Sequence, residues 1–348
     1  MLTFILRRLG VMILTALCLT FIVFFLTNLS PNLEKLAKQQ ANNRMSDEQV
    51  VTWLAARGYD DPVIVNYGRW LGVLPHFTRE EAGEVVFSRC ADPGMTAAEA
   101  PRFCGVLQGD WGWSTVFQDD VLAILAERGW QTAKLMFFVM LVMVPGALLL
   151  GVLAGMREGS KLDRSLSTVS IATTATPEYV SGVIFIAVFA SSAVGLKWFK
   201  GTATSAMENI TFENFTLPVL TIALYGMGYI ARMTRASMTE VMTAQYIRTA
   251  RLKGVSFGQI VMKHALRNAL IAPFTVIMLQ LPWLLNGVVI VETLFNYKGF
   301  GWTLVQAAGN NDIDLLLGVS IISVVVVLAT QLLSDIGYVF LNPRIRIA

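Results

Sequence analysis

The chain is short of charge, of histidine and of cysteine, and each shortage removes a class of function. Asp, Glu, Lys and Arg together make up 15% of its 348 residues, too little to clothe an ordinary soluble globular protein. A net charge of +3 is far too mild for a nucleic-acid binder, and the basic residues gather at the ends of apolar runs instead of forming one patch. Of the two histidines, His76 falls in a polar stretch and His264 in a basic one. That distribution argues against the buried acid–histidine relay of an ion-coupled secondary transporter, the main alternative class. The three cysteines have no zinc or redox spacing. Cys18 sits inside an apolar run, which leaves Cys90 and Cys104 as either a disulfide or two unpaired thiols. No catalytic set clusters near one end of the apolar runs, as a membrane enzyme requires. GMREGSKL at 155–162 lacks the Gly-Lys-Ser/Thr order and the preceding strand of a phosphate-binding loop.

What the chain has in excess is apolar length. It is 55% hydrophobic with a mean hydropathy of +0.58, values that belong in a bilayer. The first run, 9–26 behind Arg7 and Arg8, exceeds the signal-peptide core of about 7–15 residues and precedes no small-x-small site. A retained span is therefore expected, with Pro31 ending its helix. Further runs lie at roughly 132–155, 168–194, 217–233, 269–291 and 315–340, each long enough to cross. Arg157, Lys161, Arg164, Arg232 and Arg235 mark one side by the positive-inside bias and put both termini in the cytoplasm.

The expected fold is an all-α polytopic bundle of about six transmembrane helices. Its parts are an N-terminal end and first span at 1–30, a polar extracytoplasmic subdomain at 31–131, a five-helix core at 132–340 and a cytoplasmic tail at 341–348. Within the subdomain, SDEQV at 46–50 offers an N-cap and an acidic first turn for a short helix. Tyr59-Asp60-Asp61-Pro62 reads as a turn, and Cys90 and Cys104 bound an insert.

The most informative stretch is 239–273, basic and amphipathic between two apolar runs. Helix formers from Val241 to Leu252 precede Gly254, placed where a helix end wants a residue free to take positive φ. Ser256 and Gln259 have capping-box spacing for a second helix. Ile247, Ala250, Leu252, Val255 and Ile260 are an expected apolar seam, with Arg248, Arg251, Lys253, Lys263 and Arg267 around it. A rigid helical knob fits a partner's groove; the competing reading is a basic segment lying on anionic lipid.

YIRTARLKGVS and KHALRNALIAP closely resemble the coupling loop of permease subunits of ABC importers, in the dipeptide, oligopeptide and nickel branch. By that resemblance the loop at 239–268 docks an ATPase through Gln245, Tyr246, Ile247, Arg248, Thr249, Ala250, Arg251, Lys253, Gly254, His264 and Arg267. Gln245 departs from the acidic residue that many members carry. Gly109-Asp110-Trp111-Gly112-Trp113-Ser114, the Arg-x-x-Arg-x-Ser of 232–237, and VIVETLF with Gly299 and Gly301 resemble further family motifs in the family's order. Asn311-Asp312 stands for a common Arg-Asp, and Asn342-Pro343-Arg344-Ile345 for an Asp-Pro-Arg-Ile ending. Glu178 after Pro177 is itself a departure. An acid at that depth costs a few kcal/mol unless it faces a polar interior, pairs with another helix or snorkels. Pro177, Glu178, Gln280, Asn286 and Glu292 are the candidates for the pathway.

The resemblance implies a non-enzymatic permease subunit in a bacterial inner membrane, with no cofactor on this chain. ATP and magnesium would sit on two cytoplasmic ATP-binding subunits. A second homologous permease, a periplasmic solute-binding protein and membrane lipid complete the expected partners. Short peptides are the expected cargo, with oligosaccharides, opines and nickel chelates as alternatives within the branch.

Overall fold

Apolar segments of this length leave their backbone groups nowhere to bond except within a helix, and helices dominate the computed structural model. It describes residues 2–81, 84–91, 95–96, 101–192 and 196–341. The Asn342–Arg346 tail and part of the insert lie outside them.

In chain order, α1 (Leu2–Thr27) is followed at once by α2 (Ser30–Gln40). Pro31 is thus not simply a terminator: it occupies the first turn of α2, where a missing N–H costs nothing. Helix α3 (Asp47–Ala55) begins with a complete capping box between Ser46 and Gln49, and α4 (Val63–Leu71) ends at Gly72 with φ 85°. Two small antiparallel pairs qualify the all-α expectation, β1 (Thr78–Glu81) with β2 (Glu84–Ser88) and β3 (Trp113–Ser114) with β4 (Asp119–Asp120). Then come α5 (Val121–Gly155), α6 (Lys161–Ala175), α7 (Glu178–Phe185), α8 (Phe212–Thr243), α9 (Gln245–Leu252), α10 (Phe257–Gln259), α11 (Leu266–Ala269), α12 (Ile271–Leu294), α13 (Phe300–Gly309) and α14 (Ile313–Leu341).

Among the described residues, four helices are long and apolar enough to cross a membrane, or up to six if each of two bent pairs counts as one span. The third expected span is one of these pairs: α6 and the helical run Glu178–Ala190 meet at 102°. Pro177 explains the break, because the residue before a proline is driven out of helical geometry and Thr176 is extended at ψ 119°.

The chain divides into two compact units, one of Arg128–Trp302 and Val326–Ala348, the other of Leu2–Glu127 and Thr303–Val325. In the first, α8 packs against α6, α7 and α12, and 67% of its apolar window is buried, which makes it the central helix. Gly151 and Gly155 bring α5 onto it: a Cβ at Gly155 would stand 2.6 Å from Met238 Cβ, and one at Gly151 2.6 Å from the Ala231 carbonyl. Small residues four apart permit such backbone approach in lipid. Asp163, 2% exposed, receives two hydrogen bonds from the Arg235 guanidinium and ties α6 to α8.

In the second unit Phe24, Tyr67, Trp70, Ile313 and Leu317 form the core. The Ser114 hydroxyl donates to Asp312 at 2.6 Å, and Asp312 also caps α14 through the Leu315 N–H. Cys90 and Cys104 are joined in a disulfide, Cα to Cα 5.5 Å, across 14 positions; a closed loop of that size removes about 3 kcal/mol of unfolded-chain freedom. A non-reduced peptide map is expected to contain a Cys90–Cys104 cross-linked pair, with Cys18 alone alkylated in the unfolded, unreduced chain. Alkylation of all three thiols would contradict the bridge.

Candidate functional site

The basic stretch folds as a hairpin held against the end of α8. That helix runs to Thr243, so Val241 belongs to it, and the chain turns at Ala244 (ψ 149°) before α9 starts at Gln245. The expected single helix from 241 to 252 is therefore two. Lys253 and Gly254 close α9, with Gly254 at φ 76°, a conformation that is costly for any residue with a Cβ.

Ser256 precedes α10, but its side chain makes no capping hydrogen bond, so the expected capping box is not formed. The reason lies just downstream. The chain widens into a π-turn over Ile260–Ala265, which leaves α10 as only one short turn.

Ile247, Ala250 and Ile260 pack with Met238, Met242, Val261, Ala265 and Ala269 in one buried cluster, against which Val255 rests. Leu252 does not join that seam; it is 83% exposed, because it lies at the end of α9 on the opposite face. The Ser237 hydroxyl donates to the Ala269 carbonyl at 2.8 Å, and Asn268 Nδ2 donates to the Tyr246 hydroxyl at 3.0 Å. Gln245, Arg248, Thr249, Arg251, Lys253, Lys263, His264 and Arg267 are all exposed. Tyr246, Leu252, Phe257 and Met262 add exposed apolar area. Sequence reasoning named the cations but missed Phe257 and Met262, which periodicity broken by a π-turn cannot place. The surface is thus apolar projections ringed by positive charge on a rigid base, a composition suited to docking.

Among the described residues no hydrogen bond or ion pair links any two of the pathway candidates. Pro177 is exposed and Glu178 half-buried. Glu178 opens α7, where the amide ends of the helix favour a carboxylate. Gln280 is buried, 7% exposed, and the side chain of Asn286 lies outside the described residues.

Glu292 is fully buried and wholly engaged. The Thr132 hydroxyl donates to one carboxylate oxygen and the Trp302 N–H to the other at 3.0 Å. Thr132 in turn accepts from the Phe300 N–H at 2.7 Å. A Cβ at Gly299 would meet the Glu292 carboxyl carbon at 2.5 Å, so any larger residue there must displace the carboxylate. Beside it the Tyr297 hydroxyl donates to the Gln131 carbonyl at 3.0 Å. This geometry makes Glu292 an anchor of the turn into α13. Glu292→Ala is expected to cost roughly 3 kcal/mol by stranding buried donors, read as a lowered unfolding midpoint in detergent. An unchanged midpoint with altered cargo preference would place Glu292 in the pathway.

Comparison with known proteins places this arrangement. Residues 147–347 match the family described as binding-protein-dependent transport system inner membrane component. A probable peptide ABC transporter permease of Sinorhizobium fredii is 34% identical over 244 residues, 69% of this chain and 77% of that protein. The dipeptide transport system permease of Haemophilus influenzae is 32% identical over 69% of this chain and 78% of that one. An oligopeptide transport system permease of Bacillus subtilis is 28% identical over 99% of this chain and 100% of that one. The chain is thus a multi-pass inner-membrane protein, and it belongs to the binding-protein-dependent permeases, in their dipeptide and oligopeptide ABC importer branch.

Proposed function

We propose that this chain forms half of the translocation pathway of an ATP-driven importer of short peptides, and that its basic hairpin is the handle through which partner ATPases move it. The observation that carries the proposal is the construction of the hairpin. Its inner face is sealed by Ile247, Ala250 and Ile260 against Met238 and Met242 of α8, so hairpin and helix move together. Its outer face offers Leu252, Phe257 and Met262 among cations. A push received there is delivered to a helix that runs through the packed centre of its unit, and rigid-body displacement of such an element opens or closes a pathway.

ATP and magnesium are handled on two cytoplasmic partner subunits, and a second permease of the same family encloses the other side of the pathway. A solute-binding protein delivers cargo from outside, where the Cys90–Cys104 bridge finds an oxidising compartment. This orientation places both termini and the hairpin in the cytoplasm. The peptide transport named for the relatives supports peptides as cargo.

Replacing Gly254 by valine forces a β-branched residue to φ 76°, a strain of about 1–2 kcal/mol. Membrane insertion is expected to survive while ATP hydrolysis by the assembled complex loses its coupling to uptake. Leu252→Asp is expected to leave the unfolding midpoint unchanged and to prevent co-purification of ATP-binding subunits. Unaltered uptake in the first variant together with intact co-purification in the second would refute the docking role.

A further inference from the structure

The hairpin is not alone at its end of α8. The turn between α5 and α6, residues 156–160, lies against it and has no part in the docking role described for the hairpin. Val152 and Met156 rest on the buried cluster of Ile247, Ala250 and Ile260 that seals the hairpin. On the outside, the Arg157 guanidinium lies 5.5 Å over the ring of Phe257, one of the exposed apolar side chains of the hairpin.

The turn is built to hold one shape. Gly159 takes φ 76°, where a Cβ is costly, and its N–H donates to Asp163 at 2.8 Å. The Ser160 hydroxyl caps α6 by accepting from the Asp163 N–H at 3.1 Å. Asp163 also accepts from the Ser167 hydroxyl and twice from the Arg235 guanidinium of α8. One buried carboxylate thus fastens the turn to the helix that carries the hairpin. Arg157, Glu158 and Gly159 are left exposed on this frame.

Among the described residues Arg157 meets Phe257 and no carboxylate. A cation–π contact holds a guanidinium against the ring while its N–H edge stays open to an acceptor. The neighbouring charge has the same sign. Between Thr239 and Pro273, Glu240 is the only acid beside Arg248, Arg251, Lys253, Lys263 and Arg267. What covers such a face must be acidic around an apolar recess. Anionic lipid and an acidic protein face both supply negative charge, but they ask for different things. Lipid attraction is diffuse and needs no fixed geometry, whereas a protein groove rewards side chains held in place beforehand. Arg157 on Phe257, above the Asp163 frame, is of the second kind.

We propose that the 156–160 turn is a second arm of the ATPase-docking surface, with Arg157 beside Phe257 meeting a carboxylate of the partner ATP-binding subunit. This inference rests on the docking role of the hairpin and adds a grip at the start of α6. A partner held at both points moves α6 and α8 together, so that its push reaches the span bent at Pro177 as well as the central helix.

The test uses the full chain assembled with its partner permease and ATP-binding subunits. With p-benzoylphenylalanine in place of Arg157, irradiation is expected to yield an adduct containing the ATP-binding subunit, identified by mass. In place of Ser165, exposed on α6, the same probe is expected to yield none. Arg157→Glu is expected to weaken association of the ATP-binding subunits at least about tenfold, because it sets like charges against each other, with the unfolding midpoint unchanged. Ser165→Glu is expected to leave association as it is. An adduct with lipid alone, no adduct with the ATP-binding subunit, equal capture from 157 and 165, or undiminished association of Arg157→Glu overturns the proposal. Leu252→Asp, measured alongside, keeps the two readings apart. Assembly lost in Leu252→Asp but intact in Arg157→Glu removes the turn and leaves the hairpin, whereas assembly intact in both removes the hairpin as well.

Discussion

Apolar helices gain little by leaving lipid for one another, so a bundle in a membrane stands or falls on how closely its backbones approach. Here that approach is concentrated on α8. Gly151 and Gly155 admit α5 to it, and Gly228 admits α6, since a Cβ there would lie 2.6 Å from the Ser170 carbonyl. One bidentate contact, Arg235 with Asp163, adds direction to a surface that is otherwise only well fitted. A helix gripped in this way can carry force along its length, which is why the hairpin at its end matters.

The hairpin has two faces with different duties. Its inner residues are small or branched and buried, so they fix position; its outer residues include long apolar and cationic side chains. Ala244 separates the roles. Because its backbone is extended, α9 leaves the axis of α8 and turns its outer face to the surroundings, while the buried cluster keeps the two helices from flexing independently.

Much of this was legible in the sequence because the signals were local. The apolar runs, the break at Gly254, the N-cap at Ser46 and the basic ring need only nearest neighbours to be read. What was not legible required partners distant in the chain. The anchoring role of Glu292 shows only when Thr132, Gly299 and Trp302 are brought around it. Asp312 and Ser114 stand in separate motifs, and only the fold shows that they pair across 198 positions. Hydropathy reads the third span as one helix because it is blind to direction, and only the proline at 177 hints at the 102° bend. Ser256 and Gln259 fail as a capping box for a third reason, a backbone widening that no side-chain pattern announces.

That widening, over Ile260–Ala265, has a bearing on how such chains change in length. In a regular helix, adding or deleting one residue turns everything beyond it by about 100°, which here would swing the lipid-embedded α12 away from its neighbours. A stretch already bonded with a wider spacing takes up or gives back a single residue within itself. The hairpin is therefore also a slack coil, able to absorb a one-residue change without rotating the membrane helix that follows.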